Sequence, residues 1–446
     1  MNDREFSKTR ARFLQRRYAI SLGRRYVSAA ASVIILGLGG YSKLDSMNSV
    51  FAQDLPQRVE SLDYQHLATS RLDPRVTAAN TSFGFKLFSE MIEQNSSTNS
   101  QNISISSSSV AIALAIAYNG ASGETQQAMA KTLGLQGITL QELNSANAAL
   151  IAALQNLGQK VELNIANSLW ARQDYPLKSD FIQKNQNFYK AQVNNLNFSD
   201  PNAAKTINNW VKQSTSGKIN QIVDQIDQTE VLFLLNAIYF KGKWTTQFNK
   251  QQTAEYPFYL ASGEQKQQLM MSQSGEYKYY ENEKFQAVSL PYGNDGRLSF
   301  YVFLPRQNTN LSAFYQDLNV ENWDKWMTQF SDRQGSIRLP RFTVESDFTL
   351  NDTLKALGMG VAFEEAANFS GIGENLALSE VKQKTFVEVN EEGTQAAAAT
   401  SVGVELIAAT PENQPFQMIV DRPFFCTIRD NQTGTVLFMG SIQEPQ

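Results

Sequence analysis

Apolar positions along this chain follow two different periods. From Pro74 to about residue 214 they recur every three to four residues, the spacing of one helix face. Phe83, Leu87, Met91 and Ile92 share such a face. Ser106 to Ser109 precede an apolar stretch, Val110 to Tyr118, and a serine hydroxyl there is suited to cap a first turn. Gly120 is expected to end that helix. Further helices fit residues 124–133, 140–156, 179–190 and 201–214. Gly134, Gly158 and Gly217 stand at or soon after three of those ends, as C-terminal glycines do. Beyond residue 230 the pattern turns to strands. Val231 to Phe240 is nearly continuous apolar chain, as expected of a strand buried on both faces. Residues 288–291 and 298–305 follow, with a turn at Gly293 to Gly296. Residues 381–389 and 416–429 read as two more strands, and the chain closes in a hairpin over 424–440. The result is a mixed α+β chain built around a large sheet, with no internal repeat.

Between the strands ending at Val389 and beginning at Phe416 the stretch 390–411 runs for about twenty residues without turn punctuation, long for a passive loop. Thr394, Ala396, Ala398, Thr400, Val402, Val404 and Leu406 alternate with Gln395, Ala397, Ala399, Ser401, Gly403 and Glu405. The first set is uncharged and the second small or polar, which is a strand pattern. The small residues at the start would let such a strand slide between two others, and Gly393 supplies a permissive hinge. Alanine also favours helix, so a short helix or an Ala-rich linker stays open.

Composition narrows the chemistry. Of 446 residues 42% are hydrophobic, enough for a large core, and the net charge of −4 makes nucleic acid a poor partner. The single histidine, His66, lies before the folded region, which excludes a Ser-His-Asp or Cys-His machine and a His/Cys metal site in the main body. The one cysteine, Cys426, sits in an apolar run and is expected to be a buried core group. Carboxylate catalysis or a Ser-Lys nucleophile remains open, though no G-x-S-x-G motif supports it. No cofactor is expected. Residues 1–52 read as an export signal. Arg10, Arg12, Arg16, Arg17, Arg24 and Arg25 precede an apolar stretch over 27–40 that is short for a membrane span, and a cut could follow Ala52. Arg24-Arg25 permits a twin-arginine route. An uncleaved anchor is the alternative to an extracellular or periplasmic protein. Residues 53–75 form a polar linker, and residues 76–446 a single domain.

The motifs together resemble the serpin family. Gly393-Thr394-Gln395, the alanines 396–399 and Thr400 are similar to the hinge of inhibitory members, with Val389-Asn390-Glu391-Glu392 before it. Asn236-Ala-Ile-Tyr-Phe-Lys-Gly-Lys-Trp244, Ile207-Asn-Asn-Trp-Val211 and Thr215-Ser-Gly-Lys-Ile219 are similar to further family signatures. So are Leu339-Pro-Arg-Phe342, Asn368-Phe-Ser-Gly-Ile372, Asp421-Arg-Pro-Phe424 and Leu437-Phe-Met-Gly440. The resemblance covers about residues 76–446. It implies a serpin fold: a large central sheet, two smaller sheets, eight or nine helices and an exposed reactive-centre loop over about 390–415. It also implies an inhibitor rather than an enzyme, one that traps a serine protease as a covalent acyl-enzyme while the hinge inserts into the main sheet.

Counting about fourteen residues past the hinge glycine, as the family does, puts the cut bond at Ile407-Ala408, with Leu406-Ile407 and Ala408-Ala409 open. Every choice places an apolar residue before the cut, which fits an elastase-, chymotrypsin- or subtilisin-like target. No Lys or Arg lies between Lys384 and Arg422 to suit trypsin. By resemblance, Arg341 pairs with Glu391 where the sheet opens, Trp244 lies beneath that point, and Ser106, Ser109 and Asn236 belong to the cluster controlling opening. Gln383 stands where many members have histidine, so pH-dependent opening should be lost. Ser107 replaces a common proline, which is expected to loosen that turn. Gln395 replaces a common hinge glutamate and faces outward. The stretch 140–156 lacks the Lys and Arg of glycosaminoglycan-activated members, so heparin activation is not expected. The mature form is expected to be a monomer free of membrane. Alternatives are a non-inhibitory serpin serving as carrier, chaperone or storage protein, a serine hydrolase, or a surface-anchored binding module.

Overall fold

A computed structural model of the chain describes residues 72–95, 101–158, 160–393 and 414–446. The N-terminal half runs α1 (Pro74–Gln94), β1 (Ile103–Ile105), α2 (Ser107–Tyr118), α3 (Gly123–Leu133), α4 (Leu140–Leu154), β2 (Val161–Arg172), α5 (Ser179–Tyr189), β3 (Gln192–Leu196) and α6 (Ala203–Ser214). Then follow β4 (Leu232–Gly242), β5 (Ala254–Tyr259), β6 (Gln265–Glu281), β7 (Phe285–Pro291), β8 (Leu298–Pro305), α7 (Leu311–Asp317), α8 (Val320–Gln329), β9 (Ser331–Pro340), β10 (Phe342–Thr349) and α9 (Asn351–Leu354). The chain ends in β11 (Glu380–Val389), β12 (Phe416–Ile419), β13 (Phe424–Asp430) and β14 (Val436–Ile442).

The helices follow the sequence pattern closely. Asp73 accepts from the Arg75 amide and Pro74 opens α1, the usual chemistry of a helix start. Gly134 takes the left-handed conformation after α3, at φ 70°. Three details differ. Ser106 precedes α2, but its hydroxyl makes no capping bond, because its backbone is engaged across the sheet instead. Asn119 closes α2 rather than Gly120. The fourth helix stops at Leu154, four residues before Gly158.

Five strands form a mixed sheet in the order β10-β11-β4-β2-β3. Strand β4 explains its own sequence. Leu232, Leu234, Ile238 and Phe240 pack into the main core, while Phe233, Leu235 and Ala237 face α6 through Ile207 and Val211. Both faces are buried, so the strand shows no alternation. The remaining nine strands are joined as β1-β14-β13-β8-β7-β6-β9-β12, with β5 paired to β6. The two smaller sheets expected are thus continuous. Strand β6 is 17 residues long and pairs with β5 at its start, with β9 along residues 270–279 and with β7 at its end.

One predicted strand is two. Residues 416–429 divide into β12 and β13, because Pro423 lacks an N–H for a ladder. Cys426 is buried in β13, and burial pushes its thiol pKa far up, so it behaves as a core group.

Candidate functional site: the loop root and the sheet seam

Strand β11 carries the chain to the root of the long loop. Its neighbours are β10, antiparallel, and β4, parallel, with Gln383 opposite Asn236 and Phe386 opposite Tyr239. At its end Asn390 and Gly393 close a tight turn through mutual backbone hydrogen bonds of 3.1 and 3.2 Å. Gly393 sits at φ 103°, a region that side chains with a Cβ avoid. Strand β12 begins on the other side of the loop and lies against β9, in the other sheet.

The stretch following β4 wraps this turn. The backbone N–H of Trp244 donates to the Glu392 carbonyl at 3.1 Å, and that of Phe248 to the Glu391 carbonyl at 2.9 Å. The Trp244 indole N–H donates to the Asn390 carbonyl at 2.8 Å. Its ring stacks on Tyr292 at 4.4 Å. Both glutamates are buried. Glu391 accepts from the Thr253 hydroxyl at 2.8 Å, and its second oxygen lies 3.5 Å from Arg341 Nε. Glu392 pairs with Lys250. Lys250, Thr253 and Arg341 line a cleft of about 450 Å³ over these carboxylates.

A second cluster lies lower on the seam between β11 and β4. Three amides stand in one row across three strands: Gln383 on β11, Asn236 on β4 and Asn167 on β2. The Gln383 amide donates to Asn236 Oδ1 and to the Ser106 carbonyl, the latter at 3.0 Å. Its own oxygen accepts from the Ser106 N–H at 2.9 Å. Asn236 donates to the Ser109 hydroxyl and to Asn167 Oδ1, at 2.6 Å for Asn167. All five residues are buried. The row bridges the two strands, so separating β11 from β4 breaks the Gln383–Asn236 bond.

Ser106, Ser109, Asn236 and Gln383 are therefore brought together, as are Trp244, Arg341, Glu391, Glu392 and Gly393. Thr394, Gln395, the alanines 396–399, Thr400, Leu406, Ile407, Ala408 and Ala409 lie outside the described residues. No group of three or more His, Cys, Asp or Glu side chains placed to hold a metal occurs among the described residues.

The family model for Serpin (serine protease inhibitor) matches residues 78–445. The chain is a serpin. It therefore belongs to a family of protease inhibitors rather than enzymes, whose partner is a target protease. A serpin-like protein of Thermococcus kodakarensis, uncharacterized, is 32% identical over 93% of this chain and 98% of its own length. The leukocyte elastase inhibitor of Bos taurus is 35% identical over 83% of this chain and 100% of that protein. Among solved structures, the thermophilic serpin tengpin in its native state matches with a TM-score of 0.77 at 32% identity, over 84% of this chain and 95% of that one.

Sequence reading did not single out Asn167, Thr253 or Lys250 of this serpin. Asn167 is legible only through its register opposite Asn236, which needs the sheet. Thr253 and Lys250 lie 138 and 142 positions from the glutamates they contact, with no local pattern to mark them.

Proposed function

We propose that this chain is an inhibitory serpin that traps an apolar-preferring serine endopeptidase. One observation carries the reading: the loop root leaves β11 directly beside β4, and those two strands run parallel. A segment folding back from Gly393 would run antiparallel to both, replacing one parallel pairing by two antiparallel ones, which are slightly more stable per residue. Residues 394–407 would extend about 46 Å at about 3.3 Å per residue, enough to run the length of the 11-residue β4. The uncharged alternation from Thr394 to Leu406 suits such a strand.

Attack by the protease serine on the Ile407 carbonyl forms an ester and releases the amine of Ala408. Insertion then carries the tethered protease away before water reaches the ester. Hydrogen bonds and burial gained by the inserted strand drive the step from a kinetically held native state. The apolar residue before the cut favours an elastase-, chymotrypsin- or subtilisin-like target, and the likeness to a leukocyte elastase inhibitor supports it. Residues 1–52 would direct export, leaving a monomer outside the cytoplasm that needs no heparin.

The mature protein is mixed with pancreatic elastase, a subtilisin-type protease and trypsin, then run on denaturing gels. A stable band at the summed mass less the C-terminal peptide is expected with the first two, and that released peptide should begin at Ala408. Cleavage without a complex would leave a substrate, and the carrier or storage reading would replace this one.

A further inference from the structure

We infer that Lys250 is a positioning residue for the hinge: it holds the turn 390–393 closed through Glu392, independently of the Arg341–Glu391 pair. The inference deepens the proposed function and rests on it for its role in trapping, but not for its test.

The two glutamates of the turn are neutralised very differently. Glu391 has two partners, the Thr253 hydroxyl and Arg341. Glu392 has one. Its Oε1 meets Lys250, and its Oε2 is buried with no partner among the described residues. The Glu392 side chain is only 8% exposed, against 67% for Lys250. A buried carboxylate thus depends on a single cation reaching in from solvent. Removing that cation leaves an uncompensated charge inside the turn, and the simplest relief is for the turn to open and hydrate the carboxylate. Opening would also release the bonds from Trp244 and Phe248, which hold Glu392 and Glu391 by their carbonyls. Those bonds all come from one stretch, 244–253, which also supplies the Gln247 amide to the Glu392 carbonyl and the Thr253 hydroxyl to Glu391, so Lys250 is the one charged member of a clasp otherwise made of neutral donors. Arg341 lines the same cleft but is engaged with Glu391.

The test compares Lys250→Ala, Lys250→Arg, Glu392→Gln and the double variant Lys250→Ala/Glu392→Gln in the full mature chain. Amide exchange of Glu392, Gly393 and Trp244 is followed by mass spectrometry, with the β13–β14 hairpin as an internal control for global unfolding. The Trp244 emission and the half-life of the native form at raised temperature are read alongside. Lys250→Ala should exchange about tenfold faster at the turn, with the control hairpin unchanged. Lys250→Arg should stay close to the wild type. The double variant should recover most of the loss, because a neutral amide needs no counter-charge. Raising the salt from about 50 to about 500 mM should speed turn exchange in the wild type and not in the double variant. Equal exchange in wild type and Lys250→Ala, or a double variant as fast as Lys250→Ala, overturns the inference. A wild-type protein that is cleaved by elastase without a complex would sink the proposed function instead, while these exchange rates would still decide the role of Lys250.

Discussion

A methyl group on Gly393 would lie 2.2 Å from the Gly242 carbonyl oxygen and 2.5 Å from the Trp244 nitrogen, on a backbone already at φ 103°. The turn has no room to shift, because its neighbours are backbone atoms held in their own hydrogen bonds. Gly393→Ala should therefore cost about 1–3 kcal/mol of native stability, measurable by urea unfolding. A variant as stable as the wild type would mean the turn is looser than its contacts show. The amide row makes a different residue-level prediction. Asn167, Asn236 and Gln383 do not titrate, so the opening rate of the seam should be flat between about pH 5 and pH 8. Gln383→His would change that. Its imidazole, near an unperturbed pKa of about 6.5, would have to carry charge in a buried row as the pH falls. The closed seam is then favoured above that pKa and loses favour below it. Native half-lives at pH 5.5 and 8, at raised temperature, should differ in Gln383→His and agree in the wild type.

Elements show where the sequence was readable and where it was not. The helices of the first half and strand β4 carry their burial in their own periodicity, and the sequence placed them within a few residues. Strands β6 and β9 were not found. Their residues are largely polar, and β6 buries Met270 and Met271 in succession, which blurs its period. Their identity lies in pairing with each other over ten positions, information no single stretch contains. The turn 390–393 falls within a local sequence motif, whereas the clasp around it is assembled only by tertiary contacts. Two elements carry predictions. In the first turn of α4, Glu142 accepts from the backbone N–H of the N-cap Thr139 and meets Arg75 of α1 at 2.8 Å. The hydrogen bond from Arg75 is the main cause that lowers the Glu142 pKa to about 2. Its contribution is present above the unfolded value of about 4.5 and is lost as pH falls toward about 2. Thermal unfolding across that window should be less pH-dependent in Glu142→Gln. On β12, Phe416 stacks on Tyr279 at 3.8 Å, over Gly335, where a Cβ would strike the ring at 2.3 Å. Phe416→Ala should cost about 3–5 kcal/mol and expose the amides of β12 to exchange, while β13 stays protected.

At the scale of the whole molecule, the loop joins two different sheets. Its root belongs to the five-stranded sheet through β11, and its far end enters the nine-stranded network through β12. Under the proposed mechanism, cutting the bond between them frees the root to enter the seam without dragging β12 along. Cutting after Ile407 would leave residues 408–446 as a separate polypeptide. Strand β13 within it lies between β8 and β14, and Phe424, Phe425 and Ile428 are buried in the main core. Such a fragment is part of the core rather than a tail. The two pieces, produced as separate chains, should find each other and assemble into one folded body, so that the protein behaves as a heterodimer whose subunits were once a single gene product.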